Sequence, residues 1–160
     1  MRLRTAAAAV AALLAILVST GTSAQSPFAG LHGVWSGNGQ IRLDNGATEN
    51  IKCNAYYTSR DDGAGLGIAL RCASQSYKIE LRSKILSQSG RISGSWEERT
   101  FNASGTVSGQ ASGSKINMSV VGGGFTGSMA VSTTGPNQTV AINTSGIGLR
   151  SVNISLAKSG

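Results

Sequence analysis

One histidine, two cysteines and seven carboxylates are the side chains of this chain with the means to catalyse a reaction or grip a metal. A serine-type proton relay needs an imidazole to take the proton and a third group to orient it. His32 is the sole imidazole, and no Gly-x-Ser-x-Gly elbow surrounds any serine. Glycoside hydrolysis needs two carboxyls converging on one cleft. The acids are Asp44, Glu49, Asp61, Asp62, Glu80, Glu97 and Glu98. Asp44, Asp61 and Asp62 stand in turn-forming contexts, and Glu80 points outward by alternation. Adjacent Glu97 and Glu98 diverge to opposite faces of a strand. The run Arg60-Asp61-Asp62-Gly63 lacks the later carboxylates of a calcium loop, so it reads as a hairpin turn. Zinc asks for more ligands than Cys53, Cys72 and His32 supply. No catalytic residue, metal or cofactor is expected, and the chain is not expected to be an enzyme.

The N-terminal residues form a leader. Arg2 and Arg4 precede the apolar run from Ala6 to Val18, and Thr22-Ser23-Ala24 offers the small residues a signal peptidase reads. The run is shorter than the roughly 20 residues of a bilayer span. Residues 1–24 are therefore expected to be a signal peptide, 25–32 an N-terminal arm and 33–160 one β-domain, delivered to the periplasm. Without the leader, twelve basic residues remain against seven acidic, about +5. They are spread along the chain, with no cluster interleaved with aromatics, so a nucleic-acid partner is not expected. In an oxidising compartment an isolated cysteine pair is most simply a disulfide, which predicts Cys53–Cys72.

What must position these residues is β-structure. Almost every window after Gly33 alternates apolar and polar. Ile51, Cys53 and Ala55 share one face, as do Leu66, Ile68, Leu70 and Cys72. Tyr77, Ile79 and Leu81 alternate with Lys78, Glu80 and Arg82. The segments between, such as "LDNGAT", "SRDDGAG" and "SQSGR", carry turn chemistry. About ten short strands result, each apolar on one side only. A meander of ten strands leaves two edges unless it closes, which predicts an all-β, up-and-down antiparallel barrel; a two-sheet sandwich is the alternative. Folding the segment Cys53–Cys72 about its turn sets Cys53 opposite Cys72, Ala55 opposite Leu70 and Tyr57 opposite Ile68. Apolar residues then meet apolar residues throughout.

Glycines fall on the inward face. "ISG", "VSG" and "FTG" at 92–94, 107–109 and 125–127 repeat one pattern, and Gly37 and Gly39 share a face with Trp35. A strand coiling around a narrow barrel needs inward positions without a Cβ. Trp35 is then placed to cover one end of the core, and Trp96 stands at a similar offset from Gly94.

The stretch "GLHGVWSGNGQI" resembles the first strand of the calycins, in which Gly-x-Trp closes the barrel floor. Its longer form, Gly33, Trp35, Gly37 and Gly39, is similar to nitrobindin-type haem barrels, which also have ten strands. That resemblance implies iron held by a His near the end of the chain. This sequence departs there, since its C-terminal half holds no His. The order of "GVWSGNGQI", "IKCNAYY", "LRCASQSYKIELRS", "ISGSWEE", "GTVSGQASG" and "VNISLAK" looks like a set of small secreted α-proteobacterial proteins. That likeness implies the fold and the compartment and carries no chemistry.

Two functions follow from this reading. In the first, a periplasmic barrel binds a small apolar or amphipathic ligand, with Trp35, Tyr57, Ile68, Tyr77, Ile79, Trp96, Met118, Phe125 and Met129 as candidate lining. In the second, the chain is a protein-interaction module, such as an inhibitor of a secreted protease or lysozyme, acting on an envelope partner through the arm "QSPFAGLHG". An outer-membrane barrel would need aromatic girdles, and aromatics are only 5%. A monomer that does not span the membrane is expected.

Overall fold

The structure, a computed structural model, describes residues 25–159. The leader expected at residues 1–24 lies outside them. Ten strands follow in order: β1 (Gly33–Leu43), β2 (Thr48–Arg60), β3 (Gly65–Ala73), β4 (Lys78–Gln88), β5 (Arg91–Glu98), β6 (Ala103–Ser112), β7 (Lys115–Gly122), β8 (Phe125–Thr134), β9 (Asn137–Ser145) and β10 (Leu149–Lys158). Each pairs antiparallel with its neighbours in sequence, and β10 pairs with β1 to close the barrel. Closure leaves no strand edge free, which favours the barrel over an open sandwich.

The register between β2 and β3 follows the apolar pattern. Cys53 faces Cys72, Ala55 faces Leu70 and Tyr57 faces Ile68, with a short 3-10 turn at Asp61–Gly63. The two cysteines form the disulfide, with Cα atoms 4.1 Å apart. Both sulfurs point into the barrel, as the alternation of Ile51, Cys53, Ala55 and Tyr57 requires.

Glycine is required where strands β1 and β10 meet. Gly37 lies opposite Leu156, and Gly39 opposite Ile154. A Cβ on Gly37 would overlap the backbone carbonyl of Ser155, and one on Gly39 that of Asn153. Gly109, opposite Met118, repeats the arrangement. Strong coiling thus brings the neighbouring strand into the volume a Cβ would take, while the large residue opposite fills the interior.

The meander sorts its loops into two ends. One end collects the arm, the turn at Asp61–Gly63 and the C-terminus. Here Phe28 and Leu31 are buried, and Trp35 is 0% exposed. The Trp35 Nε1–H donates to the Leu31 carbonyl at 2.8 Å, and the ring meets Tyr57 edge-on at 6.2 Å. Lys158 Nζ sits 5.8 Å from the Trp35 ring centroid and donates to the Gly30 carbonyl at 2.9 Å. Ser26 Oγ donates to the Gly63 carbonyl. This end is the floor. The opposite end carries the loops at 44–47, 74–77, 99–102, 123–124 and 146–148, and it is the mouth.

Candidate ligand site

The mouth leads into an apolar cavity of about 350 Å³, within the usual range for small-molecule pockets. Strands β3 to β10 supply its wall through inward positions, among them Leu70, Ile79, Leu81, Val120, Met129 and Ile142. The rim loops add Tyr77, Phe101 and Ile147. A second space of about 70 Å³ lies toward the floor, bordered by Leu31, Tyr57, Ile68, Met118 and Gln138. Leu70, Leu81, Trp96, Val120, Met129 and Ile154 border both. The interior is thus filled at the floor and hollow at the mouth.

Polar side chains hold the rim in shape. Glu98 is buried and turned inward, while Glu97 on the opposite face is exposed. Its Oε1 accepts the Glu80 N–H and its Oε2 the Phe101 N–H, each at 2.7 Å. That carboxylate therefore ties down the 99–102 loop, which presents Phe101. Glu49 does the same for the 74–77 loop. Ser74 Oγ and the Ser76 N–H donate to Glu49 Oε2 at 2.7 and 3.0 Å, and Ser76 Oγ donates to Oε1 at 2.5 Å. These donors, with Ser76 Oγ foremost, hold the Glu49 carboxyl below the usual carboxylate range. Thr144 Oγ1 donates to the Leu149 carbonyl across the 146–148 loop. At the 123–124 turn, Gly123 and Gly124 have φ of +60° and +80°, a conformation that favours glycine.

The aromatic residues divide between the two ends. Tyr77 and Phe101 lie 6.2 Å apart on the rim, with Phe101 59% exposed. Trp96 and Phe125 pack at 4.9 Å within the wall. Trp96 is 4% exposed, and its Nε1–H meets no acceptor among the described residues.

Of the nine candidate lining residues, Tyr77, Ile79, Trp96, Phe125 and Met129 border the mouth cavity. Tyr57, Ile68 and Met118 border the smaller space, together with Trp96 and Met129. Trp35 borders neither and seals the floor. Sequence reasoning missed Glu98, which it placed only as diverging from Glu97, and Phe101, which sits in a turn without alternation. Ile142 shares a face of β9 with Val140, a spacing of two that alternation can find. The arm is packed rather than free, with Phe28 and Leu31 built into the floor.

Among the described residues, no Lys, Arg or His borders either space. His32 is exposed outside the floor, where its Nδ1 accepts the Ser59 N–H at 3.3 Å. The interior therefore does not match a histidine-held haem. Among the described residues no helix is long and apolar enough to cross a membrane, and no group of three or more His, Cys, Asp or Glu could hold a metal ion.

No protein-family model and no curated protein sequence matches this chain. Solved structures share its fold. Over 81% of this chain and 88% of the other, it superimposes on the S-type phycobiliprotein lyase CPES from Guillardia theta, with a TM-score of 0.59 and 8% identity. Over 84% of this chain and 94% of the other, it superimposes on Rv2717c from M. tuberculosis, with a TM-score of 0.62 and 10% identity. At such identities the likeness shows the calycin-like barrel alone. It also corrects one expectation. The chain was expected not to be an enzyme because no triad, carboxylate pair or metal cluster is visible. A barrel of this architecture is nonetheless named a lyase, so the lack of those motifs gives no ground for excluding catalysis.

Proposed function

We propose that the chain, exported through a leader cleaved after Ala24, holds a small apolar molecule in the mouth of its barrel as a monomer. The observation that carries this reading is the hollow of about 350 Å³ lined almost wholly by apolar side chains, in a barrel whose other end is packed shut. Close packing is the rule for protein interiors, so an apolar hollow of this size sets the mouth apart from the packed floor. The rim supports the same reading, because Glu49 and Glu98 hold two loops at the entrance and the exposed Phe101 gives an apolar molecule a first contact. The disulfide accords with an exported protein. The sequence-based alternative, an inhibitor acting through the arm "QSPFAGLHG", loses support because Phe28 and Leu31 are committed to the floor.

The test is saturable binding of an environment-sensitive apolar dye, with native mass spectrometry of the protein taken from the periplasm. Ala103→Phe places a ring in the mouth cavity. Dye binding that is saturable in the wild type and at least about tenfold weaker in this variant supports the reading. Absence of both a co-purifying mass and saturable binding overturns it.

A further inference from the structure

Outside the barrel wall, strands β2 to β6 form an open groove of about 720 Å³. Alternation builds it, because the positions of β3 that face away from the core are Gly65, Gly67 and Ala69, while the flanking strands set longer side chains beside them. Thr58, Gly67, Lys84, Ser95 and Thr106 stand opposite one another in turn and make one row across five strands. At ~4.8 Å between strands, the row is about 19 Å long. Beside it run Tyr56, Ala69, Arg82 and Glu97.

Cations converge on this low floor. Lys84 stands opposite Gly67, and Arg82 opposite Ala69. Arg60 folds over Gly67 from the other side, since a Cβ there would lie 2.9 Å from the Arg60 Nε. Among the described residues, the ion pairs within 4.0 Å are Arg99–Glu97 and Arg150–Asp44, so none of the three cations has a carboxylate partner. Glu97 is the one acid bordering the groove, and three cations against it leave an excess of two positive charges. Strands β6 to β9, by contrast, carry a single charged residue, Lys115, so charge is not spread evenly over the surface. Like charges gathered in a concave surface raise the local potential and draw an anion into it.

The remaining groups narrow the kind of anion. Tyr56 is 41% exposed and offers an aromatic face on which the C–H side of a sugar ring can pack. Ser95 and Thr106 continue the row as hydroxyls beyond the cations. An extended acidic peptide commonly binds by adding a strand to a sheet edge, and the closed barrel offers none. We propose that this groove binds a linear anionic polysaccharide, with its acidic groups against Arg60, Arg82 and Lys84 and its sugar rings along Tyr56, Ser95 and Thr106. The groove lies outside the wall and the mouth cavity inside it, so each is tested without the other.

Oligogalacturonate, a chain of carboxylated sugars, and its fully methyl-esterified form are the probes. The acid form should bind saturably, and the ester at least about tenfold more weakly. Arg82→Gln combined with Lys84→Gln should weaken the acid form about tenfold, the worth of two partly exposed charge contacts. Arg91→Gln combined with Lys115→Gln removes the same charge away from the groove and should stay within about twofold of the wild type. All four side chains are exposed, so the variants keep the fold in which they are compared. In the wild type, the amide resonances of Gly67, Ser95 and Thr106 should shift on binding while those of β8 stay still. If the two double variants weaken binding alike, net charge alone is at work and the site falls. If oligoglutamate of equal charge, or vesicles containing phosphatidylglycerol, bind as tightly and shift the same resonances, the sugar assignment is overturned. Absence of saturable oligogalacturonate binding, or shifts confined to other strands, overturns it as well.

Discussion

Tyr57 and Gln138, 81 residues apart in sequence, join β2 to β9 across the lower barrel, the phenol O–H donating to Gln138 Oε1 at 2.6 Å. Gln138 in turn donates through Nε2 to Thr133 Oγ1 at 3.1 Å. The amide is 1% exposed, so each of its bonds is made in a low dielectric. Gln138→Leu would leave a buried hydroxyl without its acceptor, and a loss of about 1–3 kcal/mol is expected in urea unfolding. A variant as stable as the wild type would show that the pair contributes nothing.

Burial also pushes the Tyr57 phenol up to about 12. The folded state keeps this proton more tightly than the unfolded chain, whose phenols titrate near pH ~10. The contribution is therefore whole below about pH 10 and drains away as the pH climbs from there toward the folded value. Tyr57→Phe should lose less stability than the wild type across that window. Parallel alkaline unfolding curves for the two proteins would contradict this.

The disulfide ties two neighbouring strands at a sequence separation of 19. Constraint of the unfolded chain by a loop of that size is worth about 3 kcal/mol. The double variant Cys53→Ala with Cys72→Ala should be less stable by about that amount and still form the barrel, because the strand register is also set by Ala55 against Leu70 and Tyr57 against Ile68. Unfolding midpoints with and without the bridge, followed by circular dichroism, check both halves of this statement.

The barrel was legible because period-two alternation is a local signal, and a cysteine pair joined with that alternation leaves one register for β2 and β3. The floor was partly legible, since Gly33, Trp35, Gly37 and Gly39 sit close together in the chain. What the sequence concealed depends on distant parts meeting. Nothing near Trp96 in the chain says that its N–H lacks an acceptor, because that requires knowing every neighbour the closed sheet supplies. Alternation placed Glu97 and Glu98 on opposite faces, and an inward Trp96 was the signal that could have shown which of them faces the core. That choice follows from Trp96 lying two residues before Glu98 on the core side. The arm was read as a candidate partner-binding segment, and the burial of Phe28 and Leu31 comes from packing onto a floor formed by strand ends remote in sequence.

Acid should loosen the rim. The folded state depresses the Glu49 carboxyl through its bonds from Ser76 and Ser74. Such a group adds stability that is present above the usual carboxylate pKa of about 4.3 and is lost as the pH falls through its lower folded value. Glu49→Gln should accordingly differ most from the wild type near neutrality and converge with it in acid. The expected site of change is the 74–77 loop, so faster hydrogen exchange at the Ser76 and Tyr77 amides is the measurement. A difference that stays constant down to acid would rule out Glu49 as its source.

Closure of the sheet depends on Gly39. It stands opposite Ile154 on β10 and Ile51 on β2, at the seam that turns the meander into a ring. A methyl group here meets the Asn153 carbonyl, which is backbone and cannot rotate away as a side-chain tip would. Relief requires β1 and β10 to separate, which strains the ladder that removes the free edges. Gly39→Ala should therefore cost about 3 kcal/mol or more, and the β10 amides near Asn153 and Ile154 should lose exchange protection before those of β4 and β5. Asn38→Ala, one residue away on the exposed face, is the control and should stay within about 0.5 kcal/mol of the wild type. If both variants melt together with the wild type, the seam tolerates a side chain and the tight approach of β10 is not what demands glycine. If Gly39→Ala alone falls and its β10 protection goes first, the missing Cβ is what lets this chain close.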